Sequence, residues 1–276
     1  MHNFIYFGTP HVASDTLATL IENGFAPKLV VTSPDAPKGR GLELTPSPVK
    51  TLATERGIPL LTPQTLDGAA IAAIAAFGAD YAVVVAYGKI FPEPLIHAFP
   101  KGVLNVHYSL LPKYRGATPL EAALLAGENE TGVTVQKMVK ELDAGDIIAQ
   151  RATAVGPSET ARELRPRLVA LGATVLAETL PAFERGEISP VPQGDSPTPH
   201  TRKLKKEDGL LSLDAPAEEN WNKYRAFADS IGTFYFKNEK RVKITKASRT
   251  GNSFVIERVI PEGKREMSYA DFARLS

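Results

Sequence analysis

The sequence feature that most limits the fold is an apolar run at residues 80–88, which reads DYAVVVAYG. Its length and its β-branched residues are typical of a central parallel strand that is covered on both faces. Shorter strand-like runs lie at 4–8, 28–32 and 59–61, and helical patterns at 12–21, 49–56 and 66–77. This alternation predicts a doubly wound α/β domain with a mostly parallel sheet, in which ligands bind beyond the carboxyl ends of the strands.

A proline-rich segment at 186–200 marks the expected boundary between two domains. A chain of 276 residues is long for one compact unit and comfortable for two. Before the boundary, the sequence predicts a strand at 146–154 and a long helix at 159–183. Beyond it, a helix at 217–228 and strands at 233–236, 242–246 and 254–259 predict a small β-rich module. We expect a large domain at 1–185, a linker at 186–203 and a small domain at 204–276.

Composition narrows the possible classes of protein. The absence of cysteine excludes disulfides and thiolate metal sites and fits a reducing compartment. No apolar run approaches membrane-spanning length, and the N-terminus lacks a signal-peptide pattern, so we expect a cytoplasmic protein with no membrane partner. Residues 201–276 carry 16 Lys and Arg against 11 Asp and Glu. This basic excess favours a polyanionic partner, although ordinary solvated lysines would give the same count.

Most of the candidate chemistry lies in the stretch 102–147. Asn105 and His107 are two residues apart in a predicted strand, so both side chains leave the same face. A second strand at 131–139 is followed by Leu-Asp-Ala-Gly-Asp at 142–146, which places carboxylates at the end of a strand. Together these residues offer an acid/base group, a neutral amide donor and an orienting carboxylate. Such a set suits acyl transfer without a covalent enzyme intermediate.

The residue types alone leave other interpretations open. Ser109 lies close to His107 in the sequence and would be a nucleophile in a different mechanism, but the G-x-S-x-G pattern is missing. The remaining histidines show no paired ligand spacing, so a metal site is not expected. A single histidine in a strand is often structural, and Asp143 or Asp146 can simply cap a turn. The residue types by themselves support the catalytic and the structural interpretation equally.

Several motifs resemble the signature of the 10-formyltetrahydrofolate-dependent formyltransferases. They are NVH at 105–107, SLLPKYRG at 109–116, ETGVT at 130–134 and LDAGD at 142–146. Further segments resemble the methionyl-tRNA formyltransferase branch of that family: FGTP at 7–10, GRG at 39–41 continuing through PSPVK at 46–50, VAYG at 85–88 and KLKKEDG at 203–209. The resemblance covers roughly the first 210 residues, and a looser similarity continues to the end.

The resemblance implies transfer of a formyl group from N10 of 10-formyltetrahydrofolate to the amino group of methionine on initiator tRNA. On the matching positions, it implies that Asn105 and His107 donate hydrogen bonds to the formyl oxygen. It also implies that Asp143 orients His107 or a water and helps to move the proton. The folate site that it implies contains Ser109, Leu110, Leu111, Pro112, Tyr87, Ile90 and Phe91. No metal is needed.

The resemblance also implies a tRNA partner, which two basic segments would contact. One is the long loop at 33–48, whose Gly-Arg-Gly tip can present a cation, and the other is the basic run that opens the small domain. The candidate tRNA-binding residues are Lys38, Arg40, Lys203, Lys205 and Lys206. For the small domain we expect a β-rich fold similar to a reduced OB-like barrel. We expect the protein to be a monomer.

Three departures from the family's pattern bear on the acceptor. Leu42, Glu43 and Leu44 follow the Gly-Arg-Gly tip, where the family usually has further basic residues. Val12 occupies the place of an aromatic residue, and the C-terminal domain is short. These changes weaken tRNA specificity more than catalysis. Two alternatives are therefore kept: a formyltransferase for an amino sugar linked to a nucleotide, and a catalytically inactive nucleic-acid-binding homologue.

Overall fold

A computed structural model of the chain describes residues 2–39 and 42–275. The chain divides into two compact units, each made of several segments. The first unit consists of Met1–Arg115, Gly132–Ala152 and Arg167–Thr198, and the second of Gly116–Thr131, Thr153–Pro166 and Pro199–Ser276. The second unit thus contains two segments that precede residue 186 in the sequence. The domain boundaries expected from the sequence, 1–185 and 204–276, stay a prediction.

Strands and helices alternate along the first part of the chain. The strands are β1 (Phe4–Gly8), β2 (Leu29–Val31), β3 (Ala36–Lys38), β4 (Glu43–Thr45), β5 (Leu60–Leu61), β6 (Tyr81–Val85), β7 (Gly102–His107), β8 (Glu130–Lys137), β9 (Ile147–Ala154), β10 (Thr233–Lys237), β11 (Lys240–Thr250), β12 (Ser253–Pro261) and β13 (Met267–Ser268). The helices are α1 (His11–Glu22), α2 (Pro48–Glu55), α3 (Gly68–Ala75), α4 (Glu93–Ile96), α5 (Pro119–Leu125), α6 (Ala161–Glu184), α7 (Ala217–Phe227) and α8 (Tyr269–Arg274), with a 3₁₀ turn at Lys206–Gly209. None of the described helices has both the length and the apolar character that crossing a membrane requires.

The first unit is built on a seven-stranded sheet in the order β5-β2-β1-β6-β7-β8-β9. The strands from β5 to β7 are parallel, and β8 is antiparallel to β7. This mostly parallel sheet confirms the predicted α/β fold. The chain runs outward from β1 to β2 and β5 and then returns to β6 on the other side of β1. Ligands of such sheets bind outside the carboxyl ends of the strands where the order reverses.

The central strand predicted from the apolar run at 80–88 is β6. All residues of Tyr81–Val85 are buried, because β1 and β7 flank the strand and side chains cover both of its faces. On one face, the ring of Phe7 packs edge-on against Tyr87 and Phe91, with centroid distances of 5.5 and 4.9 Å. Each such buried side chain contributes roughly 1.5–3 kcal/mol. The segment after β6 is therefore tied to the core of the sheet.

The segment at 33–48, expected to be a long loop, contains a two-stranded antiparallel hairpin of β3 and β4. A buried hydrogen bond of 2.7 Å between the hydroxyls of Thr32 and Ser47 joins the two ends of this segment. Ser47 also caps α2, because its Oγ accepts a hydrogen bond from the main-chain N–H of Lys50 at 3.0 Å. Arg40, the cation expected at the tip, lies outside the described residues.

The second unit contains a four-stranded antiparallel sheet in the order β10-β11-β12-β13. One face of this sheet packs a small core of Leu211, Tyr235, Val242, Ile244, Ala247, Ile256, Val259 and Phe272. The predicted β-rich character is thereby confirmed. The strands β11 and β12 extend beyond the predicted bounds, and the short β13 was not expected from the sequence.

The packing of β8 can be tested at Gly132. A Cβ at this position would lie 2.3 Å from the main-chain oxygen of Arg151 and 2.5 Å from Cδ2 of Leu110. We expect Gly132→Ala to lower the free energy of unfolding by about 1–3 kcal/mol, because the neighbouring strand has to shift. Urea unfolding measures this change.

The matched control is Gly68→Ala. Gly68 is the first residue of α3, and a Cβ there meets no atom within 4 Å. Alanine favours a helix over glycine, so this variant should be as stable as the parent or more so. Equal urea midpoints for the two variants would contradict the close packing at Gly132.

Candidate active site

The candidate site lies at the carboxyl end of β7. Asn105 and His107 are separated by one residue on this strand, so their side chains leave the same face of the sheet. Across the antiparallel pairing with β8, Asn105 lies opposite Gln136 and His107 lies opposite Thr134. The side chain of His107 is buried, whereas Asn105 is half-buried. The strand thus presents an accessible amide beside an enclosed imidazole.

Two groups flank the imidazole ring of His107. Its Nε2 lies 3.0 Å from the main-chain oxygen of Tyr114, and its Nδ1 lies 3.7 Å from Oδ2 of Asp143. A carbonyl oxygen only accepts, so Nε2 carries a proton. In the neutral ring, Nδ1 is then the unprotonated nitrogen. The nitrogen that faces Asp143 is therefore the one that can take up a proton.

Burial lowers the pKa of His107 below its ordinary value of 6.5, because desolvation penalises the charged ring. The Asp143 carboxylate and the hydrogen bond to the Tyr114 carbonyl act in the opposite direction and only partly offset this effect. At neutral pH the ring is therefore neutral. It is poised beside a carboxylate that favours the imidazolium once a proton arrives.

Asp143 is held in an uncommon backbone conformation, with φ at 51°. Its Oδ1 accepts a hydrogen bond of 2.8 Å from the side-chain amide of Gln136. The Gln193 amide donates to the main-chain oxygens of Asp143 and Gly145 at 3.0 and 2.6 Å. These contacts fix both the backbone and the carboxylate of Asp143. A left-handed conformation in a non-glycine residue persists only where surrounding contacts determine it.

Sequence reasoning missed the residues that hold this loop. Gln193 lies in the segment expected to be a linker, and its Oε1 accepts hydrogen bonds of 3.1 and 2.8 Å from Nε and Nη2 of Arg115. Nη2 of Arg115 also donates to the main-chain oxygen of Gly194 at 3.1 Å. In the sequence, Arg115 is recognisable only as part of the motif at 109–116. A glutamine in a proline-rich segment carries no periodic or spacing signal that would have identified it.

The segment Ser109–Pro112, expected at the folate site, is ordered by Thr134. The hydroxyl of Thr134 donates to the main-chain oxygen of Ser109 at 2.7 Å and accepts from the main-chain N–H of Leu111 at 3.1 Å. The Gln150 amide donates to Thr134 Oγ1 and to the main-chain oxygen of Leu111. Leu111 is buried, Leu110 and Pro112 are half-buried, and the Leu111–Pro112 peptide bond is cis.

The structure gives Ser109 a different role from that of a nucleophile. Its side chain is fully buried, and its Oγ donates to the main-chain oxygen of Lys113 at 2.7 Å. The two partners of the His107 ring are Tyr114 and Asp143, so the histidine is not arranged to activate this hydroxyl. Ser109 stabilises the turn after β7.

The other expected folate residues follow β6 and differ in exposure. Tyr87 and Phe91 are buried against Phe7, whereas Ile90 is 92% exposed. The Tyr87 hydroxyl is buried without a hydrogen-bond partner among the described residues, and burial raises its pKa to about 12. A protonated hydroxyl without a partner is able to serve a ligand. The amine of Lys89 donates to the main-chain oxygens of residues 63 and 64 and so anchors this loop.

The expected tRNA-binding cations are exposed wherever they are described. Lys38 ends β3 in the first unit, and Lys203, Lys205 and Lys206 surround the 3₁₀ turn of the second. Arg202 is engaged by Asp208, with Nη2 and Oδ1 2.6 Å apart, and this pairing lowers the pKa of Asp208 to about 2. Within residues 2–39 and 42–275, no group of three or more His, Asp or Glu side chains is arranged to hold a metal ion.

Known families match both parts of the chain. The family described as formyl transferase matches residues 2–180, and the family described as formyl transferase, C-terminal domain, matches residues 203–254. A methionyl-tRNA formyltransferase of Myxococcus xanthus is 38% identical over 97% of this chain and 93% of its own length. One of Methylobacterium sp. is 37% identical over 98% of this chain and 95% of its own length.

Solved structures share the fold at low sequence identity. A methionyl-tRNA formyltransferase from Clostridium thermocellum superimposes with a TM-score of 0.64 at 16% identity, covering 95% of this chain and 99% of that one. An N-formyltransferase from Helicobacter canadensis, in complex with folinic acid and dTDP-3-aminofucose, gives a TM-score of 0.66 at 16% identity, covering 97% and 99%. The fold is thus shared with a methionyl-tRNA formyltransferase and with an N-formyltransferase that binds a nucleotide-linked amino sugar.

The His107 environment predicts how its titration responds to Asp143. Because the carboxylate raises the pKa of the ring, Asp143→Asn should lower it further. The pKa of His107 in the folded protein lies below the ordinary value of 6.5, so the unfolded chain takes up a proton first as the pH falls. The free energy of unfolding should therefore decrease between pH 6.5 and the folded-state pKa of His107. Proton NMR of the imidazole Cε1–H measures the pKa in both proteins.

A higher pKa of His107 in the variant would show that the carboxylate does not act on this ring as the geometry indicates.

Proposed function

We propose that this chain, which belongs to the formyl transferase family, transfers the formyl group of 10-formyltetrahydrofolate to the amino group of methionyl-initiator tRNA, the step that prepares this tRNA for translation initiation. The reaction class rests on one observation, the pairing of the buried, neutral His107 ring with Asp143 at the end of β7. The acceptor rests on relatives that match nearly the whole chain.

In the proposed mechanism the acceptor amine attacks the formyl carbon. The Asn105 side-chain amide donates to the formyl oxygen, on which negative charge develops, and one such donor is typically worth about 10²–10³ in rate. Nδ1 of His107 accepts the proton that the amine loses, because Nε2 is committed to the Tyr114 carbonyl. We therefore assign His107 as the base, and not as the second donor to the formyl oxygen that the resemblance implied. Asp143 stabilises the imidazolium. The same proton then passes to the departing nitrogen of the folate, which leaves with its bonding pair.

The folate would be held by the Ser109–Pro112 segment and by the residues that follow β6. Support comes from the fixed main chain around Thr134 and from the Tyr87 hydroxyl, a buried donor without a partner among the described residues. The side chain of Ile90 is exposed and would contact the folate. We include Leu110, Leu111 and Phe91 in this site as apolar neighbours.

We assign tRNA binding to Lys203, Lys205 and Lys206, together with Lys38 and Arg40. The three lysines are exposed, and the C-terminal domain family matches from residue 203. The family matches at 2–180 and 203–254 likewise support a catalytic domain at 1–185 and a tRNA-binding domain at 204–276. We infer a cytoplasmic monomer, for which sedimentation equilibrium is the test of oligomeric state.

The decisive assay offers two acceptors side by side. We expect 10-formyltetrahydrofolate and the parent protein to formylate methionyl-initiator tRNA but not a nucleotide-linked amino sugar. His107→Ala should reduce turnover by about 10²–10⁴, the usual contribution of general acid–base catalysis, with tRNA affinity nearly unchanged. The exposed histidine His97, substituted as His97→Ala, is the control and should keep full turnover.

Each possible failure of this assay has a distinct meaning. Full turnover by His107→Ala would refute the mechanism. Formylation of the amino sugar alone would refute the acceptor, and tRNA binding without any formylation would identify an inactive homologue.

Salt dependence tests the assigned tRNA contacts. Each phosphate contact releases counterions, so the slope of log affinity against log salt grows by about 0.9 for each contact in a duplex. Replacing Lys203, Lys205 and Lys206 together by alanine should flatten this slope. Lys28→Ala, at an exposed position of the first unit, should leave it unchanged. A triple variant with the parent's slope would place the phosphate contacts elsewhere.

A further inference from the structure

One aromatic side chain in the described part of the chain is exposed. Phe236 on β10 is 57% exposed, whereas every other Phe, Tyr and Trp is buried or half-buried. An exposed phenylalanine loses the stabilisation that burial would provide. Its position on a regular strand, rather than at a frayed end, therefore raises the question of what contacts it.

The register of the sheet defines the surroundings of Phe236. Opposite it on β11 lies Arg241, and Phe234 lies opposite Lys243. The intervening pair, Tyr235 and Val242, points to the other face and belongs to the core of the second unit. Because side chains alternate along a strand, the face that bears Phe236 is the one turned away from that core.

Cations line the face that bears the exposed ring. The Arg241 guanidinium lies over the ring of Phe234 with its Cζ 4.0 Å from the centroid, and Phe234 meets Phe236 edge-on at 5.7 Å. Nε of Arg241 is buried without a hydrogen-bond partner among the described residues. A groove lined by Phe236, Arg241, Lys243, Lys264, Ile260 and Glu262 runs along this face.

The charge of the groove is positive. Glu262 is the acidic residue of this groove, and its carboxylate accepts a hydrogen bond of 3.1 Å from the main-chain N–H of Arg241. Three cations line the same groove, namely Arg241, Lys243 and Lys264. A second copy of the chain would bring the same positive face and would be repelled. A polyanion that also offers flat apolar rings is complementary to an exposed phenylalanine among cations.

We propose that Phe236, with Arg241 and Lys243, forms a stacking site for an unpaired nucleotide of the bound RNA. The base stacks on the exposed Phe236 ring, and the cations lie beside its phosphate. A base within a duplex cannot present its face in this way, so the site selects an unpaired position. This inference rests on the proposed function, since it assumes that the partner is tRNA.

The test measures binding of methionyl-initiator tRNA, and of a single-stranded RNA and a duplex of equal length, at several salt concentrations. Phe236→Ala and Phe236→Leu should each weaken tRNA and single-strand binding by about 5- to 100-fold, the effect of losing one stacked base. Neither should change the salt slope or the duplex affinity. Lys243→Ala should instead reduce the slope by about one phosphate contact.

Two variants serve as controls. Phe236→Tyr keeps an aromatic face and should retain parental affinity. Val255→Ala removes an exposed apolar side chain, 40% exposed, from another strand of the same sheet, and should also have no effect. Leucine preserves the apolar bulk of Phe236, so a loss shared by alanine and leucine but absent in tyrosine isolates stacking from folding.

Unchanged tRNA affinity in both Phe236→Ala and Phe236→Leu would overturn the stacking site, as would an equal loss for the duplex. If the parent protein formylates methionyl-initiator tRNA while these variants bind it normally, the proposed function stands and only this inference fails. A parent that neither binds nor formylates this tRNA refutes both.

Discussion

The arrangement of the site depends on placing a carboxylate against a buried imidazole. An enclosed charge is costly unless hydrogen bonds replace the lost water. Here the Gln136 amide supplies one such bond to Asp143, and Gln193 fixes the loop backbone that carries the carboxylate. Because Asp143 has a left-handed backbone, its position is imposed by these neighbours rather than by local preference. The acid/base pair therefore exists only because β8 and the segment around Gln193 converge on one loop.

The opposing influences on His107 suit the role proposed for it, in which one residue both accepts and returns a proton. Burial favours the neutral ring before the amine attacks, while Asp143 favours the imidazolium that follows. If burial acted alone, the ring would be a poor base. If the carboxylate acted alone in water, the ring would be protonated too early. At 3.7 Å from Oδ2 of Asp143, the unprotonated Nδ1 is close enough to be influenced by the carboxylate, while its lone pair stays available for a proton.

The sequence predicted those features that depend on local pattern. The run at 80–88 identified the central strand β6, and the spacing of Asn105 and His107 placed both side chains on one face of β7. The contacts of Gln193 were not predictable, because Asp143 lies 50 positions away from it in the sequence and Arg115 lies 78 positions away. Long-range hydrogen bonds leave no periodic trace in one sequence. The same limit applies to Phe236, because the sequence predicts a strand at 233–236 but not that this side chain is exposed.

In the proposed function, tRNA binding depends on exposed lysines, whereas the chemical step depends on residues such as Asn105. Interactions with distant parts of a substrate raise the rate of the chemical step only if they are realised more fully in the transition state than in the ground state. In the proposed complex, exposed lysines contact phosphates equally in both states, so their contribution falls on affinity. In the proposed mechanism Asn105 differs, because its amide meets an oxygen whose charge grows only as the amine attacks. In that mechanism, the half-buried position of Asn105 beside the enclosed ring of His107 concentrates the catalytic effect at the end of one strand, which backbone hydrogen bonds to β6 and β8 hold on both sides.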